Sequence, residues 1–157
     1  MQLRKTNMNE SKYKSVEVSS ALWKEIISWL EGLSKDNKDA EFYFNLLFDK
    51  QVDTEKVFGG IFCWMEKLAV EDSDAQAQCY VGRCYMSGEK AEFNREKGIS
   101  FLLKSAEQNN AEACYQLGIT YEHNKDFEKA YSYYSKAKQY GHESADIALK
   151  RIGNKLE

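Results

Sequence analysis

The chain contains no proline. No position therefore carries the ring clash and missing N–H that break a helix. It holds no C-x-x-C pair, and His123 and His142 have no zinc-like spacing to any cysteine, so neither a metal nor a cofactor is expected. No apolar run approaches the length of a membrane span, and the first residues lack the apolar centre of a signal peptide. The expectation is a cytoplasmic chain with no membrane partner, whose four cysteines stay reduced. Charge of one sign is also scarce: 22 basic against 25 acidic side chains leave a net −3. A nucleic-acid binder shows a basic excess or a basic stripe, so no nucleic-acid partner is expected.

What is present suits a packed domain, since 43% of the 157 residues are hydrophobic and 13% aromatic. Residues 1–15 are basic, with Arg4, Lys5, Lys12 and Lys14 against Glu10, and read as a disordered tail. The rest, 16–157, reads as one all-α domain. In 16–37, "SSALWKEIISWLEGL" opens on serines suited to capping and places Leu22, Trp23, Ile26, Ile27, Leu30 and Leu33 at helical spacing. "DAEFYFNLLFDK" predicts a second helix. "DTEKVFGGIFCWMEKLAVE" predicts a third, capped by Asp53 or Thr54, in which Gly59 and Gly60 admit the close approach of a neighbouring helix.

From Asp74 a repeat emerges. "AQAQCYVGRCY" from Ala75 matches "AEACYQLGITY" from Ala111, a shift of 36 residues that pairs Ala77 with Ala113, Gly82 with Gly118 and Tyr85 with Tyr121. "EKGISFLLKSA" from Glu96 matches "EKAYSYYSKAK" from Glu128, a shift of 32. The four-residue difference falls in a connecting loop, where insertions are tolerated. A fainter echo sets Ala40, Phe44 and Phe48 beside Ala113, Leu117 and Tyr121. Such a period marks stacked helical hairpins, because one hairpin cannot cover its own apolar face and its neighbours can. The expected architecture is an α-solenoid: a capping helix (16–37), a degenerate repeat (38–73), a clear repeat (74–110), and a second clear repeat with a C-terminal helix (111–153).

Cys114, Leu117, Gly118, Tyr121, Ala130 and Tyr134 fall on the W-x-x-L-G-x-x-Y…A-x-x-x-F pattern of tetratricopeptide repeats, with cysteine for tryptophan and tyrosine for phenylalanine. The 36-residue spacing and "KSAEQNNAEA" resemble the longer-looped Sel-one-like repeat. The resemblance implies a concave groove lined by the first helix of each hairpin. Carried onto this sequence, that groove comprises Gln76, Cys79, Arg83 and Met86, then Glu112, Tyr115, Ile119, Glu122 and His123. The degenerate unit would add Asp39, Phe42, Leu46 and Asp49. Packing of some of these against a terminal helix is the competing reading.

No catalytic constellation can be assembled. Cys79 and Cys84 point roughly 140° apart on a helix, and neither histidine has a nucleophile and an orienting acid near it in sequence. Both histidines read as surface residues and the cysteines as buried or half-buried thiols. The function expected is a non-enzymatic module that binds a partner protein in the groove. The alternative is a bacterial immunity protein that neutralises a delivered, basic toxin domain. The oligomeric state is left open by the sequence.

Overall fold

The structure, a computed structural model, describes residues 20–156; the basic stretch 1–15 and the start of the expected capping segment lie outside the described residues. Among those described there are eight α-helices and no strand. They are α1 (Ala21–Leu33), α2 (Lys38–Leu46), α3 (Thr54–Glu71), α4 (Ala75–Ser87), α5 (Arg95–Glu107), α6 (Ala111–His123), α7 (Phe127–Gln139) and α8 (Ala145–Gly153). The chain is all-α, with helices adjacent in sequence packed against one another. It divides into two compact units, and the division falls inside α3, between Ile61 and Phe62.

In the first unit α1 packs on α2, burying Leu22, Trp23, Ile26, Ile27 and Leu30, with the Trp23 ring 4.9 Å from that of Phe58. Ser20 occupies the N-cap of α1 in extended backbone, yet its side chain makes no capping bond. The cap of α2 is Asn37, whose Oδ1 accepts from the N–H groups of Asp39 and Ala40 at 3.0 Å. That of α3 is Asp53, which accepts from Glu55 N–H. Ala40 is fully buried, as its matching to Ala113 requires, but α2 stops at Leu46 and leaves Phe48 beyond it. The reading of the paired glycines holds for one of them. A Cβ on Gly60 would lie 2.9 Å from the Tyr43 ring, whereas nothing lies within 4 Å of one on Gly59.

The second unit runs from the end of α3 through α8 and contains the two hairpins. Each second helix packs on its own first helix and on the next first helix, giving the order α4, α5, α6, α7, α8. Asn and Asp residues set the ends at the repeat spacing. Asp74 and Asn110 cap α4 and α6 through the N–H groups of Ala77 and Ala113, at 2.7 and 2.9 Å. Asn94 and Asp126 cap α5 and α7 in the same way.

The glycines at the matching positions of α4 and α6 do different work. A Cβ on Gly82 would meet the Gly98 carbonyl oxygen at 2.9 Å, so α4 and α5 touch through their backbones. On Gly118 it would meet the Tyr134 ring at 2.5 Å; there Ala130 replaces Gly98 and a ring fills the gap. Both hairpins also stack a ring from each helix under lysines. Tyr85 lies parallel to Phe101 beneath Lys97 and Lys104, and Tyr121 parallel to Tyr133 beneath Lys129 and Lys136. Tyr85 further donates to Glu66 Oε1 at 2.5 Å, tying α3 to α4.

Candidate functional site

The first helices α4 and α6 carry the residues expected to line a groove, and the structure sorts them into three groups. Cys79 and Met86 leave the site. Cys79 is fully buried among Leu102, Ala113 and Leu117, because α6 covers that side of α4. Met86 packs onto the same cluster and reaches over α5, its Cγ 2.6 Å from where a Gly98 Cβ would stand.

Tyr115, Ile119 and Glu122 are covered by α8 and the turn before it, so here the competing reading wins. Tyr115 and Ile119 pack on the cluster of Ala130, Tyr134, Ala148 and Ile152. Glu122, with its side chain only 12% exposed, accepts from Arg151 Nη2 at 2.6 Å, from Arg151 Nε and Lys155 Nζ at 3.1 Å, and from Tyr134 Oη at 2.8 Å. Burial alone would raise its pKa, but the bonds from Arg151, Tyr134 and Lys155 outweigh that and hold it at about 2. Glu122 is thus the anchor of the C-terminal helix. His123 is exposed in the last turn of α6, about 16 Å along the helix from Glu112.

Gln76, Arg83 and Glu112 are brought together, and two residues absent from the expected set join them: Asn110 and His142. Asn110 Nδ2 donates to Gln76 Oε1 at 3.1 Å. His142 Nε2 lies 2.9 Å from Glu112 Oε2. These two contacts are repeat equivalents, since Gln76 and Glu112 are 36 apart and Asn110 and His142 are 32 apart. The turns that place them are equivalent too: Asn110 N–H donates to Ser105 O, and His142 N–H donates to Ala137 O. Arg83 Nη1 stands 3.4 Å from Glu112 Oε1, which also accepts from Gln116 Nε2 at 2.7 Å.

His142 is not the surface histidine its sequence context suggested. Its side chain is 15% exposed, and its ring stacks on Tyr115 with centroids 3.9 Å apart and planes 11° from parallel. Ser144 N–H donates to its Nδ1 at 3.3 Å. With Nδ1 an acceptor, Nε2 carries the proton and donates to the Glu112 carboxylate. Both ring nitrogens therefore have protein partners. Around this ladder opens a depression of about 470 Å³, lined by Gln76, Asn110, Glu112, His142 and Ser144 among others.

In the degenerate unit Asp39 and Phe42 are exposed on α2, Leu46 is half-buried, and Asp49 lies past the helix, where it accepts from Gln51 N–H. The four cysteines form no disulfide; Cys63 is exposed and Cys79, Cys84 and Cys114 are buried. Burial, with Glu89 adding to it and Arg83 opposing, pushes the Cys84 thiol up to about 12, which leaves it unreactive at neutral pH. No helix of the described residues is long and apolar enough to cross a membrane. No protein-family model matches the chain, and no curated protein matches it.

Proposed function

We propose that the chain is a non-enzymatic protein–protein interaction module of the Sel-one-like and tetratricopeptide kind, which holds a partner's polypeptide segment against the Gln76–Asn110 and Arg83–Glu112–His142 ladder. The observation that carries this reading is the recurrence of one polar pair at the hairpin spacing beside an open depression. Carboxamides offer donors and acceptors together, and so does the backbone of an extended peptide. A ladder already fixed by internal bonds loses little side-chain entropy when a ligand arrives. The depression is too open to enclose a small molecule over most of its surface, which favours a polypeptide. The commitment of both His142 nitrogens to protein partners also favours binding over proton transfer.

The test is site-specific crosslinking. A photo-reactive residue replacing Gln76 is expected to capture a partner in the native source, while the same residue replacing Tyr131, exposed on α7, is expected to capture none. Equal capture at both positions, or none at Gln76, overturns the reading. A basic toxin domain captured at Gln76 would narrow the module to an immunity protein.

A further inference from the structure

Asn110 and His142 stand at the same place in successive turns, 32 residues apart, and each side chain does two things at once. Asn110 Oδ1 accepts from the Ala113 N–H at 2.9 Å and fastens the start of α6, while its Nδ2 reaches across to Gln76. His142 Nδ1 accepts from the Ser144 N–H at 3.3 Å and fastens the entry to α8, while its Nε2 reaches across to Glu112. The Ser144 side chain makes no capping bond, so that entry hangs on the imidazole and on the Ala145 N–H bond to His142 O at 3.2 Å. The two turns differ in one property. A carboxamide oxygen stays an acceptor at any ordinary pH, whereas an imidazole takes a proton on its free nitrogen between about pH 8 and pH 5.

We infer that His142 is a proton-sensitive fastening of the turn that walls the depression, and that protonation there weakens the hold on a partner; this rests on the reading of the ladder as a binding site. The ring itself is kept in place in both protonation states. A second proton turns the Nε2–Glu112 bond into an ion pair and sets a cation over the Tyr115 ring. Rotating the ring would carry Nε2 away from Glu112. The Ser144 N–H is therefore the group that gives way, because two donors then face each other. The charges around the ring are few. From α6 it faces Glu112 and the Tyr115 phenol, with Tyr134 of α7 behind Tyr115. From α4, Arg83 stands on the other oxygen of Glu112 and opposes the cation. In the turn, Glu143 lines the same depression and favours it, while Asp146 of α8 is taken up by Lys138 and Lys150. The N-terminus of α8 disfavours a cation at its entry. Gly141, His142, Glu143 and Ser144 are half of the residues lining the depression, so releasing Ser144 releases that wall. A loosened wall must be ordered again when a partner arrives, which weakens binding. The Gln76–Asn110 rung holds no titratable group and keeps its shape.

Amide resonances of the full chain, followed by NMR from about pH 8 to about pH 5, read the fastening directly. The Ser144 amide is expected to move together with the His142 ring protons and to lose about fivefold in protection against exchange, beyond the intrinsic effect of pH. The Ala113 amide, capped by Asn110, is expected to stay in place. His142→Asn installs the carboxamide of the neighbouring turn and is expected to remove the Ser144 response. His123→Ala, at the other imidazole of the chain, is expected to leave it unchanged. The comparison of Ser144 with Ala113 needs no variant, so it stands even if His142→Asn misfolds. Crosslinking from Gln76 in extracts of the native source then reads the site. Capture is expected to fall about fivefold between about pH 7.5 and about pH 5.5 in the unsubstituted chain, and to stay level in His142→Asn. A Ser144 amide that ignores His142, the same response in His142→Asn, or capture that does not change with pH would each overturn the inference. Absence of capture at every pH overturns instead the reading of the ladder as a binding site, while the Ser144 titration still decides the fastening.

Discussion

Glu122 shows how much one side chain settles. Four donor atoms on Tyr134, Arg151 and Lys155 converge on its carboxylate, and they come from α7, α8 and the turn beyond. A carboxyl whose folded pKa is about 2, against an ordinary 4.5, stabilises the fold fully above about pH 4.5. That contribution is lost as pH falls through 2. Arg151 and Lys155 are half-exposed, which screens the interaction and brings it to about 2 kcal/mol. Glu122→Gln is therefore expected to lower the unfolding free energy by that amount at pH 7, and the gap to the unsubstituted chain should close towards pH 2. Urea titrations across that range measure it. This role was not legible in the sequence, which assigned Glu122 to a groove. Its partners Arg151 and Lys155 lie about thirty residues away, on a helix and the turn beyond it, whose docking side follows from tertiary packing alone. Asn110 and His142 were more accessible. Shifting Gln76 by 36 and Asn110 by 32 yields the Glu112–His142 pair directly, but residues outside the first helices were left out of the comparison.

Among the elements, helix positions were readable almost throughout, since apolar periodicity and Asx caps mark local structure. The face each helix turns to its neighbour was readable only where a glycine marked it. Gly82 and Gly118 were matched correctly, but the sequence did not reveal that one admits a backbone and the other a ring. Substitution separates these two glycines from Gly153 at the end of α8. Gly82→Ala must push against the Gly98 carbonyl, and Gly118→Ala against the fully buried Tyr134. Each is expected to destabilise the fold by about 1–3 kcal/mol. Gly153→Ala meets open space and is expected to be neutral or stabilising by up to about 1 kcal/mol, the gain in helix propensity. Chemical denaturation of the three variants gives the ranking, and a loss at Gly153 equal to that at Gly118 would contradict the packing described.

For the molecule as a whole, packing follows chain order: from α4 to α8 each helix packs on the next one in sequence. Such local pairing closes short loops, so folding on the order of milliseconds or faster is expected. With no proline in the chain, refolding should also lack the phase of roughly 10–100 s that prolyl isomerisation produces. Stopped-flow fluorescence of the tryptophans reads both, and a dominant slow phase would mean that a long-range step limits folding. The all-α class was legible because the repeat states it twice. The division inside α3 was not, since Gly59 and Gly60 just before Ile61 sit inside one continuous helix and read as a contact for a neighbouring helix.

The caps at Asp74 and Asn110 have a practical consequence. Each opens a first helix by the same bond, and each follows a residue in left-handed backbone, Ser73 and Asn109. The segment between them is consequently a cassette with matching ends. A duplicate of residues 74–109 spliced in ahead of Asn110 creates a single new junction, Asn109–Asp74, in which one capping side chain follows a left-handed residue as another does in the native chain, so the stack can be lengthened by whole modules and its recognition surface extended one rung at a time.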